Sequence, residues 1–207
     1  MIIDVIQTKK ELFESEFSIR HQEIEIGKMH LAGKLSSMEG KWTVEFDNHH
    51  INLEYGKSNL PKGVKTFRPY DITIDQSRCG AVYQTRSKDS FLKKYDFHQM
   101  LLLGKYYDLY PIGFGEMGAK NPIYCGTEQV GQINKECVVY NDLHNYQIYA
   151  FDNDVIAAII FCCYMYVNAG FKPGVKTTMS VVKVVSKTTN KLLLSKYQPS
   201  FENLVSK

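Results

Sequence analysis

Net charge is what this sequence has least of: 25 Lys and Arg stand against 22 Asp and Glu, leaving +3 over 207 residues. So thin an excess does not displace counterions along a phosphate backbone, and no nucleic-acid partner is expected. Cysteine is sparse and odd in number, and Cys79, Cys125, Cys137, Cys162 and Cys163 follow no zinc-ribbon spacing. That argues against a disulfide framework and for a reducing compartment. The start, Met1 to Gln7, has no basic residue and places Asp4 inside its only apolar run, so neither a secretory signal nor an Arg-rich transit peptide is read there. The expected location is the cytoplasm, with peripheral membrane contact through the basic tail described below. Also missing are a Gly-x-Ser-x-Gly elbow, a Cys in a catalytic setting, a fixed-period repeat and a Pro-, Gly- or Ser-rich linker. No catalytic residue, metal ligand or cofactor is assigned, and a non-enzymatic protein is expected.

What is present is aromatic and alternating. The 14 Tyr and 11 Phe favour half-buried strands, and from about residue 15 to residue 151 apolar and polar residues alternate with the period of antiparallel strands. The clearest hairpin sets Trp42, Val44 and Phe46 against Ile51, Leu53 and Tyr55, with the turn placed at Asp47-Asn48-His49-His50. Similar alternation marks Ile24 and Ile26, Ile72 and Ile74, and Tyr146, Ile148 and Ala150. Turns are expected at Gly27, Gly33, Gly40, Gly56, Pro61 to Gly63, Gly80, Gly104 and Gly113 to Pro122.

The stretch after Asp152 breaks this pattern. Val155 to Phe171 has no charged residue and is apolar on nearly every side of a helical wheel. Asp152, Asn153 and Asp154 predict its N-terminal end; Gly170 and Pro173 predict its stop, giving a helix over 153–170. About 16 residues at about 1.5 Å each reach roughly 24 Å, short of a bilayer core of roughly 30 Å. The expectation is a helix in the centre of a protein core, with no transmembrane span.

Three segments in series, Gly131-Gln132-Ile133-Asn134-Lys135, Tyr146-Gln147-Ile148 and Asp152 to Tyr166, resemble the tubby C-terminal-like superfamily, which includes the LURP-one-related proteins and the phospholipid scramblases. The resemblance spans roughly residues 15–171. It implies a mainly β fold, a closed antiparallel barrel of about a dozen strands around the apolar helix. Two departures limit what it carries. About 35 residues follow Gly170, and the segment Asn141 to Tyr146 has too few carboxylates for a calcium loop, so neither calcium binding nor scrambling is transferred. The phosphoinositide-binding residues of tubby proteins find no secure counterpart. The domain reading is a barrel over 1–171 and a basic extension over 172–207 packed on it.

Gly113-Phe114-Gly115-Glu116-Met117-Gly118 fits the glycine spacing of a dinucleotide loop, but Pro122 follows too soon for the helix such a loop must open, and a long loop is expected. His49 and His50 lie in a turn without partner ligands. Asp71 and Asp75 share a solvent-facing strand side. The tail carries Lys172, Lys176, Lys183, Lys187, Lys191 and Lys196 with no acid before Glu202. Lys183, Lys187 and Lys191, every fourth residue, would form one basic helical stripe suited to an anionic surface, while Val181-Val182 and Val184-Val185 leave a strand open. The functional expectation is a binding module for a lipid head group, a membrane surface or a protein partner. The alternative is a small-ligand protein or enzyme holding a phosphate-bearing ligand near Gly113–Gly118.

Overall fold

A computed structural model describes residues 1–11, 14–34, 37–56, 60, 66–87, 94–168 and 181–206. Its strands are β1 (Ile2–Lys10), β2 (Glu14–His21), β3 (Ile24–Lys34), β4 (Ser37–Phe46), β5 (His49–Tyr55), β6 (Phe67–Ile74), β7 (Ser77–Arg86), β8 (Asp96–Leu102), β9 (Lys105–Leu109), β10 (Ile112–Gly115), β11 (Ala119–Cys125), β12 (Glu128–Lys135), β13 (Val138–Tyr140) and β14 (Asn145–Ala150). After the single turn Asp152–Asp154 come α1 (Val155–Asn168), β15 (Val181–Lys183), β16 (Ser186–Lys187), α2 (Lys191–Leu194) and α3 (Phe201–Val205).

Twelve strands close on themselves. β12, β14, β1 and then β2 to β9 run side by side in antiparallel order, β9 pairs with β11, and β11 returns to β12. Closure leaves no edge within the barrel. β10 lies outside the ring, between β11 and β16, and β13 pairs with β15.

Alternation decides what faces inward. Ile3 and Val5 of β1, Trp42 and Val44 of β4, Ile51 and Leu53 of β5, and Ile72 of β6 are each fully buried. Tyr146, Ile148 and Ala150 also point inward, as expected. Ile24 does not: it is 68% exposed, and β3 buries Met29 and Leu31 instead. A register shift in the β2–β3 pair at Ile19/Arg20 accounts for the displaced inward row. Tyr55 is 46% exposed where β5 ends, its ring edge-on to Tyr70 at 5.9 Å.

The turns follow glycine only in part: Gly104 and the stretch from Gly115 to Gly118 do form turns. Gly27, Gly33, Gly40 and Gly80 lie inside strands. At Gly27 and Gly80 a Cβ would run into the backbone carbonyl of Glu45 and of Leu101, so these glycines serve close strand approach. The reversals are made by pairs with positive φ: Gln22-Glu23 (49°, 68°), Asp47-Asn48 (49°, 61°), Asp75-Gln76 (49°, 67°) and Leu103-Gly104 (50°, 82°). This is the type I′ geometry that suits the right-handed twist of the flanking strands. His49 and His50 therefore open β5 rather than sitting in the turn.

α1 fills the barrel. Ala158 to Cys163 are wholly buried, and α1 packs on β4, β12 and β14. Each fully buried Ile or Phe contributes roughly 1.5–3 kcal/mol by leaving water. Both ends of the helix are tied to strands. Tyr107 Oη donates to Asp154 Oδ1 (3.0 Å) at the start. At the other end Arg68 Nη1 donates to Asn168 Oδ1 (3.1 Å) and Tyr164 Oη donates to the Arg68 carbonyl (2.9 Å). A guanidinium there also opposes the negative end of the helix dipole. The expected stop at Gly170 and Pro173 lies outside the described residues. No helix among the described residues is long and apolar enough to cross a membrane.

Candidate functional site

β11, β12, β14 and β1 run side by side, and their outer face carries a groove of about 440 Å³. Asp4 and Ile6 of β1, Asn145 and Gln147 of β14, Asn134 and Lys135 of β12 with Glu136 just beyond it, and Lys120 of β11 line it, together with Met117. Met117 belongs to the tight β10–β11 turn, in which the Phe114 N–H donates to the Gly118 carbonyl (2.8 Å). Gly118 has φ +80°, and a Cβ there would strike the Lys135 carbonyl, so only glycine lets this turn close against the end of β12.

Lys135 is the distinctive group. Its Nζ lies 5.9 Å from the centre of the Tyr146 ring, and no carboxylate of the described residues stands within ion-pair distance of it. Burial lowers its pKa. Lys120 is differently placed, its Nζ 2.6 Å from Glu202 Oε1 of α3. Asp4 Oδ1 accepts from Gln147 Nε2 at 3.1 Å. An ammonium half removed from water favours an anion beside it, while Asp4 and Glu136 add negative charge to the same groove.

The lysines singled out from sequence do not form a helical stripe. Lys183 ends β15, Lys187 ends β16 and Lys191 opens α2, because β-branched Val181 and Val182 pair with Tyr140 and Val139 as a strand. Lys183 Nζ is 2.7 Å from Glu116 Oε1, which neutralises it. Lys187 and Lys191 are exposed, with no ion pair among the described residues. Lys172 and Lys176 lie outside the described residues.

The Gly113–Gly118 segment is a β-hairpin rather than a long loop. Three of its amides are already used: the Gly113 N–H donates to Thr188 Oγ1 (2.9 Å), the Phe114 N–H to the Gly118 carbonyl, and the Gly118 N–H to the Gly115 carbonyl (3.1 Å). Nothing there opens a helix toward a pyrophosphate. Asp75 sits in the β6–β7 turn and accepts from the His50 N–H (2.9 Å) with His49 Nδ1 at 2.8 Å, and these bonds lower its pKa. Asp71 is on β6, away from that turn.

Inside the barrel, polar groups gather near the end of α1. Gln7 Nε2 donates to Tyr166 Oη (2.9 Å) and to Ser15 Oγ (3.2 Å), and Gln7 Oε1 accepts from the His144 N–H (2.9 Å). His98 points inward from β8, its ring edge-on to Tyr164 at 5.1 Å and its Nδ1 without a hydrogen-bond partner among the described residues. Burial pushes the pKa of both His98 and His144 down to about 4. Cys162 and Cys163 are raised by the same cause. Glu14, Glu16 and His30 cluster on the surface, where Lys9 Nζ already lies 3.3 Å from Glu14 and 3.6 Å from Glu16.

Fold and site together define a closed twelve-stranded antiparallel barrel, filled by an apolar helix and grooved on its outer wall near a lysine that has no ion pair among the described residues. Compared with protein-family models, with curated proteins and with solved structures, the chain finds no match in any of the three.

Proposed function

We propose that this protein is a non-enzymatic binding module of the tubby-like kind, whose outer groove takes an anionic group: the phosphate of a lipid head group or of a soluble compound. The observation that carries this reading is Lys135, a half-buried ammonium with no carboxylate in ion-pair distance among the described residues, held beside the inward-facing Tyr146 ring where the end of β12 borders the groove. Partial desolvation of a cation is unfavourable, and an anion docked beside it offsets that cost. The tubby-like part rests on Gly131–Lys135, Tyr146–Ile148 and Asp152–Tyr166, which occupy two neighbouring strands and the filling helix. The buried, raised thiols of Cys162 and Cys163 and the proton-poor imidazoles of His98 and His144 favour structure over catalysis for the groups best suited to nucleophilic or base chemistry.

Two arms separate the sources of phosphate. Co-sedimentation uses vesicles of phosphatidylcholine alone and with phosphatidylserine; calorimetry uses inorganic phosphate. Salt-sensitive binding is expected in at least one arm, weakened about tenfold by Lys135→Ala, or about 1.4 kcal/mol. Lys183→Ala is expected to be nearly silent because Glu116 already pairs it, whereas Lys187 and Lys191 each add up to about 1 kcal/mol at an anionic surface. Absence of salt-sensitive binding in both arms, or binding indifferent to Lys135→Ala, overturns the proposal.

A further inference from the structure

Beside the groove the barrel wall holds a second site, and it is occupied. Glu202 Oε1 accepts from three donors of the barrel: Lys120 Nζ (2.6 Å), Gln132 Nε2 (2.7 Å) and Asn134 Nδ2 (3.0 Å). Gln132 is fully buried, and its Nε2 also donates to Asn134 Oδ1 at 2.8 Å, which fixes both amides in the orientation that receives a carboxylate. Burial alone would raise the pKa of Glu202; the three donors and the charge of Lys120 overcome it and lower it. The preceding residue, Phe201, is 1% exposed and meets the Phe151 ring edge-on at 5.6 Å.

The element carrying these two side chains contributes little else. α3 is five residues long, far below the length at which a helix holds itself together, and its Asn203 and Leu204 face solvent. The donors, in contrast, stand on β11 and β12, paired within the closed ring. Receptor and occupant thus differ in kind: a rigid wall of donors, and a short segment held by one aromatic ring and one carboxylate.

We infer that this wall is a peptide-binding site for segments in which an aromatic residue immediately precedes a glutamate, and that the chain's own Phe201-Glu202 is its resident, displaceable occupant. The aromatic ring fills the place against Phe151, and the carboxylate takes the Lys120, Gln132 and Asn134 donors. A partner carrying the same pair of side chains competes with the tail, which has the advantage of tethering. The site shares Lys120 and Asn134 with the lining of the neighbouring groove but does not depend on an anion binding beside Lys135.

The probe is a fluorescently labelled synthetic peptide with the sequence of residues 198–206. It is titrated into the unaltered full chain and into the full chain carrying Phe201→Ala and Glu202→Ala, which leave every barrel donor in place. Saturable binding to the double variant is expected, about tenfold or more tighter than to the unaltered chain because the tethered competitor is gone. Binding should vanish when the peptide's Glu is replaced by Gln or when Lys120→Ala is added. Should the double variant not fold, hydrogen exchange on the unaltered chain takes its place: excess peptide must speed exchange of the amides of 202–206 while β12 stays protected. The inference is overturned by no saturable binding to a folded double variant, by equal binding of the Gln peptide, or by unchanged exchange at 202–206 under excess peptide.

Discussion

His98 is the residue whose protonation the barrel resists most plainly. Desolvation holds its pKa down to about 4 in the folded chain, whereas an unfolded histidine titrates near 6.5. Between those values the unfolded state binds more protons than the folded one, so stability falls as pH is lowered through the window from about 6.5 to about 4. The expected loss between pH 7 and pH 5 is roughly 2 kcal/mol from this group. Urea unfolding of wild type and His98→Phe at the two pH values checks it. The phenyl ring keeps the packing against Tyr164, and the variant is expected to lose less stability on acidification than wild type does. Nothing in the sequence marks His98 as interior except its place among Met100 and Leu102 on one side of β8, a pattern that six scattered histidines concealed. Glu202 was visible as the first acid of a lysine-rich tail, yet its partners Lys120, Gln132 and Asn134 lie about 70 to 80 positions earlier, and a period cannot convey that distance.

Among the elements, α1 was the most legible. A charge-free run bounded by Asp152 to Asp154 leaves burial on every side as the resolution for a helix too short to span a bilayer, and the barrel supplies that burial. Ile160→Asp is expected to abolish soluble folding, because it places an unpaired carboxylate where Ile160 has no solvent exposure. Expression and thermal melting test this, and a soluble variant with a cooperative melt counts against the placement of α1. The hairpins were less legible. Asn-Gly and Asp-Gly are the usual type I′ signals, but Gln22-Glu23 and Asp75-Gln76 adopt positive φ without glycine, so their turn chemistry was hidden, whereas the polar pair Asp47-Asn48 was read as part of a turn between two alternating strands. The lysine repeat misled for a related reason: a spacing of four aligns residues on a helix, but Val181 and Val182 had already committed the segment to β15.

At the scale of the molecule, the tail is a cladding. Leu193 packs with Tyr95, Tyr110, Ile112 and Tyr124 in a cluster separate from the barrel interior, flanked by Phe97, Phe114 and Tyr197, while Lys196 Nζ lies 5.0 Å from the centre of the Tyr110 ring. Leu193→Asp is expected to release the tail and expose this aromatic wall while leaving the barrel interior closed. Increased dye binding to apolar surface and faster proteolysis between residues 188 and 206, with the barrel fragment resistant, is the readout; loss of the barrel with the tail would refute the separation of the two clusters. The ring's closure has a further consequence in time. β1 has β14 as one of its two neighbours, with Ile3 opposite Ile148, so a strand made first waits for one made about 145 residues later. Assembly is therefore dominated by non-local contacts and is expected to be slow, with one flank of β1 open until β14 has been synthesised. During translation that flank is an unpaired strand edge, a template for pairing with a neighbour until β14 covers it.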